Sequence, residues 1–299
     1  MSKQLKADLM LLFVTVAWGA SYYLTDLSLK DMGSFTLNAN RFLIAFIVAV
    51  VLTFPKIKNV SKETLKYSVI LGIALLFVYI GANLGVQYTT LSNTSFLCGL
   101  SVVFTPLLSC IIYRKYPGKK LAFVIFLSTA GIALLTMKED FSVNHDNLLG
   151  DLSSMMCAFA YAIDLIITER AVAKEEVNPF QLGVFQLGVT GVLNLMLAFI
   201  FEKPHLPSEP SIWFSVLFLS ILCTGVAFIV QAIAQQYTTA SHVGVIFSLE
   251  TLFAGTVAYI FAKEVLTAKS YFGAALMIIS IFVMEVDFKE LMARKRIKQ

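Results

Sequence analysis

The chain has 299 residues, of which 58% are hydrophobic and only 14% charged, and its mean hydropathy is +0.79. A soluble domain of ordinary composition carries about 25% charged residues, so a soluble enzyme or binding module of this length is excluded. The net charge of +4 is spread along the chain, and nothing in its distribution calls for a nucleic-acid partner.

Between Tyr67 and Tyr113, and again between Pro210 and Leu249, there is no Asp, Glu, Lys or Arg. A helical span needs roughly 20 apolar residues, so each segment holds two spans and a tight turn. An outer-membrane barrel would show short alternating segments instead. The expected fold is an all-α polytopic membrane protein with ten transmembrane helices, at 8–27, 35–54, 66–87, 94–113, 120–137, 149–168, 179–201, 211–235, 241–262 and 270–286. Lys3 and Lys6 before the first apolar run resemble a signal peptide, but cleavage would delete a span, so the run is read as a retained helix.

Taken in order, the spans carry few polar groups. Trp18 and Tyr22 in the first span, Tyr79 in the third and Tyr161 in the sixth fall at mid-span or a turn from it. Lipid-facing Trp and Tyr prefer the membrane interfaces, so deep ones suit a cavity wall, although packing explains each singly as well. Arg41 lies about two turns into the second span and reads as a structural anchor, with Asp26 as its partner, in preference to a ligand contact. Asn83 and Gln231 could orient a ligand or bond between helices. Asp164, near the inner end of the sixth span, reads as a vestibule acid or as one snorkelling to the interface. Cys98, Cys110, Cys157 and Cys223 lack metal-ligand spacing and read as small hydrophobes, so neither a metal nor a cofactor is expected.

Gln87–Lys115 and Gln236–Glu264 align without a gap at an offset of 149 residues, sharing the opening Gln-Tyr-Thr-Thr and Ser92/Ser241, Leu100/Leu249 and Phe104/Phe253. The chain therefore contains one supersecondary unit twice. Residues 1–137 form a first five-helix repeat, 138–147 a linker, 148–287 a second repeat and 288–299 a basic tail. Five spans is an odd number, so the second repeat is expected upside down, the construction of secondary transporters that work by alternating access. Ser95/Gly99 and Gly244/Ser248 occupy matching positions and allow close helix packing.

Of the 23 lysines and arginines, 17 lie at the membrane side of the N-terminus, in segments 3–6, 56–66, 114–120, 170–174 and 289–298. Five lie on the other side, which predicts that both termini are cytoplasmic in a multi-pass cell-membrane protein.

Glu250 has Ser101 at its place in the other copy, so the architecture does not require it. It lies nine residues into its span, roughly 13.5 Å deep at ~1.5 Å per residue. A carboxylate there costs at least ~2.5 kcal/mol and usually faces a wet cavity or a partner. Two readings follow: a site for a cationic or amino group or a coupling proton, or a protonated Glu bonded to a neighbouring helix.

The sequence resembles the drug/metabolite transporter superfamily, in its ten-helix EamA-like branch. The likeness rests on Trp18-Gly19-Ala20, Arg41-Phe42, Gly150-Asp151, Tyr161-Ala162 and Leu249-Glu250, with Phe253-Ala254 and Glu264 following. The family often has proline after Glu250; Thr251 stands here, which implies a less kinked helix. The resemblance implies a carrier of small organic metabolites, with a cavity lined by spans 1, 3, 4, 6, 8 and 9. The expected cargo is an amino-acid-like or cationic amphipathic compound, moved by an exporter or facilitator for which a monomer suffices. An integral membrane enzyme would need clustered reactive groups, and His145, His205 and His242 all lie in or beside loops. A channel lacks a recognisable filter sequence.

Overall fold

The computed structural model describes residues 3–114, 118–136, 147–263 and 267–285. Residues 138–146 of the predicted linker, Glu264 and the basic tail 288–299 lie outside the described residues. Among the described residues every regular element is helical, and eight stretches are long and apolar enough to cross a membrane. They are α1 (Lys3–Leu29), α2 (Ser34–Ile57), α3 (Lys62–Tyr88), the pair α4 (Leu91–Cys98) and α5 (Ser101–Tyr113), α7 (Leu148–Val172), and α8 (Pro179–Phe201). The remaining two are α9 (Pro210–Ser220) joined by a π-helical turn to α10 (Ala227–Ala234), and the pair α11 (Ala240–Phe247) and α12 (Glu250–Phe261). Two further helices of 18 residues, α6 (Lys119–Thr136) and α13 (Ala268–Glu285), cover the other two predicted spans. These two pack on each other, with a 2.8 Å bond between Ser128 Oγ and Ser280 Oγ.

Large apolar side chains lie on the outside, including Leu52, Ile111, Phe126 and Phe199. Buried positions include many hydroxyls and amides. That distribution reverses the soluble pattern and suits a lipid surround, where the apolar side chains need no cover.

The repeated Gln-Tyr-Thr-Thr has a local cause. Its last threonine is the N-cap of the following helix in both copies: Thr90 Oγ1 accepts from Asn93 N (3.1 Å), and Thr239 Oγ1 from His242 N (3.3 Å). Such a cap supplies one of the acceptors that a helix start lacks, worth about 1 kcal/mol. Nine residues on, both helices break. Leu100 N bonds Leu97 O and Val102 N bonds Gly99 O; likewise Leu249 N bonds Ile246 O and Thr251 N bonds Ser248 O. These three-residue bonds tighten the chain for one turn before a new helix starts at Ser101 and at Glu250. The expectation of a straighter helix for want of proline is thus corrected: Thr251 Oγ1 returns to Ser248 O (2.8 Å), and the helix is interrupted anyway. Both copies then end on a left-handed residue, Arg114 (φ 51°) and Lys263 (φ 57°), the two non-glycine positive-φ residues described.

The broken helices cross at their breaks. A side chain on Gly99 would meet Thr251 Cγ2, so this glycine is required by the close approach of α4 to α12, while α11 packs on α5.

Loop contacts also match. On one side Glu202 caps α2 by accepting from Phe35 N (3.0 Å) and Thr36 N (2.8 Å). Ser208 there donates to Asp31, and these bonds hold the Asp31 carboxyl below its ordinary 3.8, so the tie is complete at neutral pH and loosens as pH falls through that lowered value. On the other side Gln181 of α8 donates to Lys56 O and Asn59 O, and Ser61 donates to Glu176 O.

Candidate substrate cavity

A cavity of about 670 Å³, counting its open mouth, lies between α1, α2, α3, α4, α5, α7, α10, α11 and α12. Its lining rises from mid-helix to Thr25 and Val86, each within about a turn of the helix end. Those ends lie on the side away from the N-terminus, so the mouth is there.

The floor is aromatic. The Trp18 ring centroid stands 4.8 Å from Phe247, 5.5 Å from Phe228 and 5.7 Å from Tyr161. Trp18 is fixed by donating Nε1–H to Cys223 O at 2.7 Å. Cys223 belongs to the π-helical turn Ile221–Val226, whose wide loop leaves that carbonyl free to accept from outside its own helix. Gly19, the next residue, lets α1 lie directly on Phe253 and the Ala254 amide of α12.

Glu250 and Arg41 both face this cavity. Glu250 is the first residue of α12, where the positive helix end favours a carboxylate, and it lines the cavity together with Tyr22. Arg41 donates Nε–H to Thr224 Oγ1 (2.6 Å) in the π-helical turn, and its guanidinium lies 4.5 Å from the Tyr79 ring centroid. The expected Arg41–Asp26 pair is corrected: Asp26 binds Lys30, four residues on and just past the end of α1, at 3.0 Å. Arg41 lies deeper, where Thr224 and the Tyr79 face receive it.

Six sequence-predicted site residues line the cavity: Trp18, Tyr22, Tyr79, Asn83, Tyr161 and Glu250. Asn83 is held by Ser34 Oγ and Asn38 Oδ1, both 3.0 Å away. Asp164 and Gln231 lie below the floor. Tyr161 donates to Gln231 Oε1 (2.8 Å), and Gln231 Nε2 donates to Asp164 Oδ2 (3.2 Å). Asp164 is fully buried, which overturns the snorkelling reading: its side chain points into the helix bundle. Cys98 and Cys157 are lining residues that the sequence reading took for packing, and Arg41 is one that it took for a structural anchor. The signal for Arg41 was its charge within a span; the cysteines gave none.

The comparisons with known proteins accord with this geometry. The EamA-like transporter family model matches residues 5–137 and again 148–286. The chain belongs to the EamA-like transporter family. Among its relatives are two proteins of Archaeoglobus fulgidus, each named an uncharacterized transporter. One is 27% identical, covering 95% of this chain and 87% of the relative; the other is 29% identical, covering 87% and 90%. A third such relative, from Methanothermobacter thermautotrophicus, is 27% identical over 90% of this chain and 83% of its own length. A solved structure titled only as the crystal structure of a protein shares the fold, with a TM-score of 0.75 at 17% identity, covering 97% of this chain and 98% of that one. Family and relatives make this EamA-like chain a multi-pass membrane transporter, with a small-molecule cargo and lipid as its surround.

Proposed function

We propose that the protein carries a small organic metabolite bearing a cationic or amino group, amino-acid-like or cationic amphipathic, by alternating access. The observation that carries this reading is Glu250, facing a cavity at mid-membrane depth on a broken helix. Carboxylates at this depth mark substrate or ion paths. Arg41 on the same cavity gives a carboxylate of the cargo a partner, and the aromatic walls suit an apolar body. Glu250 is also the group that would take a coupling proton.

In this reading the two halves act as five-helix units of opposite orientation, which exchange conformations to open the cavity to one side and then the other; the two separate family matches, 5–137 and 148–286, support a division into two units. Matching caps, breaks and left-handed ends at one offset support two equivalent units, and the odd number of spans gives them opposite orientation. With both termini cytoplasmic, the mouth described above faces outward, as suits an exporter after release or a facilitator. A fluorescent protein that matures only in the cytoplasm, fused after Gln299, should glow; a dark fusion would reverse the orientation.

Purified protein screened for thermal stabilisation against a metabolite library tests the cargo class. Compounds with an ammonium group should raise the unfolding temperature, because ligands that bind only the folded state stabilise it. Stabilisation by anionic or neutral compounds alone would overturn this reading.

A further inference from the structure

Beneath the aromatic floor lies a second set of polar side chains that the open cavity does not use. Gln231 bridges Tyr161 to Asp164 and also donates to Gln235 Oε1 (3.3 Å); Gln235 Nε2 donates to Leu165 O (3.0 Å). Asp164 Oδ1, Thr168 Oγ1 and Gln186 Oε1 are each buried without a hydrogen-bond partner. A buried polar atom left unpartnered costs about 1–3 kcal/mol, so this arrangement is poorly satisfied as a permanent core.

The repeat explains where these residues come from. The two family matches start 143 residues apart, at 5 and 148. At that offset Asp8, Ala17 and Thr25 of α1 meet Asp151, Ala160 and Thr168 of α7, and Trp18 meets Tyr161. Ser21, which lines the open cavity, falls on Asp164, and Thr25 falls on Thr168. Helices α2 and α8 start 145 residues apart and share Phe35/Phe180 and Leu37/Leu182, which sets Arg41 against Gln186. At the offset of 149, the cavity residues Ala82 and Val86 fall on Gln231 and Gln235. Three helices of the open half, α1, α2 and α3, thus map their lining onto buried polar residues in the closed half.

We infer that Asp164, Thr168, Gln186, Gln231 and Gln235 are the collapsed wall of the opposite cavity, which becomes wet when the floor opens toward the N-terminal side. This rests on the inverted-repeat reading above and extends it to named residues. In that state Asp164 presents a carboxyl where the other cavity has Ser21, and an amide stands where the other has Arg41. A cargo group leaving or entering on the N-terminal side meets an acid with amides around it, so both routes favour a cationic group.

Accessibility tests this without knowing the cargo. In a chain with its four cysteines replaced by serine or alanine, Thr168→Cys and Thr25→Cys are reacted with a membrane-impermeant maleimide on each face of proteoliposomes. Thr25→Cys should react from the face opposite the N-terminus, and Thr168→Cys several-fold faster from the N-terminal face than from the other. Ala82→Trp, which wedges the open cavity and prevents its collapse, should slow labelling at Thr168→Cys several-fold. Gln235→Cys reports the same wall should Thr168→Cys fail to fold. Should the residue-168 and 235 thiols stay unlabelled from both faces over hours, while Thr25→Cys reacts and unfolded chains label fully, the inference is overturned. Equal labelling of Thr168→Cys with and without Ala82→Trp also overturns it. Failure of the ligand screen alongside one-sided labelling would remove the cargo reading and leave this one standing.

Discussion

Glu250→Gln should abolish most transport while leaving a folded, membrane-inserted protein. The substitution keeps the shape and a polar group at the same place on the cavity, and it removes only the charge. Burial of that charge at mid-membrane costs at least ~2.5 kcal/mol, so yield and unfolding temperature should hold or rise. A hydrogen bond to a charged group is worth about 1.5–3 kcal/mol, so affinity for a cationic ligand should fall by about 10- to 150-fold. Ser101→Ala, at the matching position and also on the cavity, should change affinity far less, because it carries no charge. Flux is measured in reconstituted vesicles with a compound found by thermal stabilisation. Where Glu250 is the proton carrier, flux in Glu250→Gln should also lose its dependence on external pH. Wild-type flux that still varies with pH in Glu250→Gln would make the acid a structural group and move the site elsewhere on the wall.

Much of the fold was legible because a membrane limits the options. Backbone groups in lipid must be satisfied within the segment, so charge-free runs such as Tyr67–Tyr113 could only be helices with a turn between them. The 149-residue repeat was legible because capping is local: Thr90 and Thr239 do the same work in each copy. Local sequence did not reveal the breaks at Gly99–Leu100 and Ser248–Leu249, because neither has proline; the interruption arises where two helices cross. Six of the candidate site residues line the cavity; the signal was a polar-tipped aromatic at depth for Trp18, Tyr22, Tyr79 and Tyr161, a lone acid for Glu250 and an amide within a span for Asn83. Arg41 was misread because its partner Thr224 comes from a π-helical turn 183 residues away, which local spacing does not show. Asp164 was misread because depth was judged along the helix alone. Which face of α7 turns inward depends on packing against α3 and α10, and only comparing the halves at 143 residues pairs it with Ser21.

The largest structural effect should come from Gly19→Leu. A Cβ at this position would collide with Phe253 Cβ and stand 3.0 Å from Phe253 C and 3.1 Å from Ala254 N. The obstacle is largely backbone, so no rotamer change relieves it and α1 must move away from α12. That contact sets the floor and the acid together: Trp18 precedes Gly19, and Tyr22, which lines the cavity with Glu250, is one turn on. Overpacking by a methylene or two costs about 1–3 kcal/mol where neighbours can yield; here a whole isobutyl group meets main chain, and the cost should exceed that range. Gly19→Leu should therefore give little monodisperse protein in detergent. Gly19→Ala should fold with a lowered unfolding temperature and weaker binding of any ligand that depends on Glu250. Val16→Leu, on the exposed face of the same helix, should match wild type in both respects. Normal yield and unfolding temperature in Gly19→Leu would mean that α1 and α12 do not meet closely.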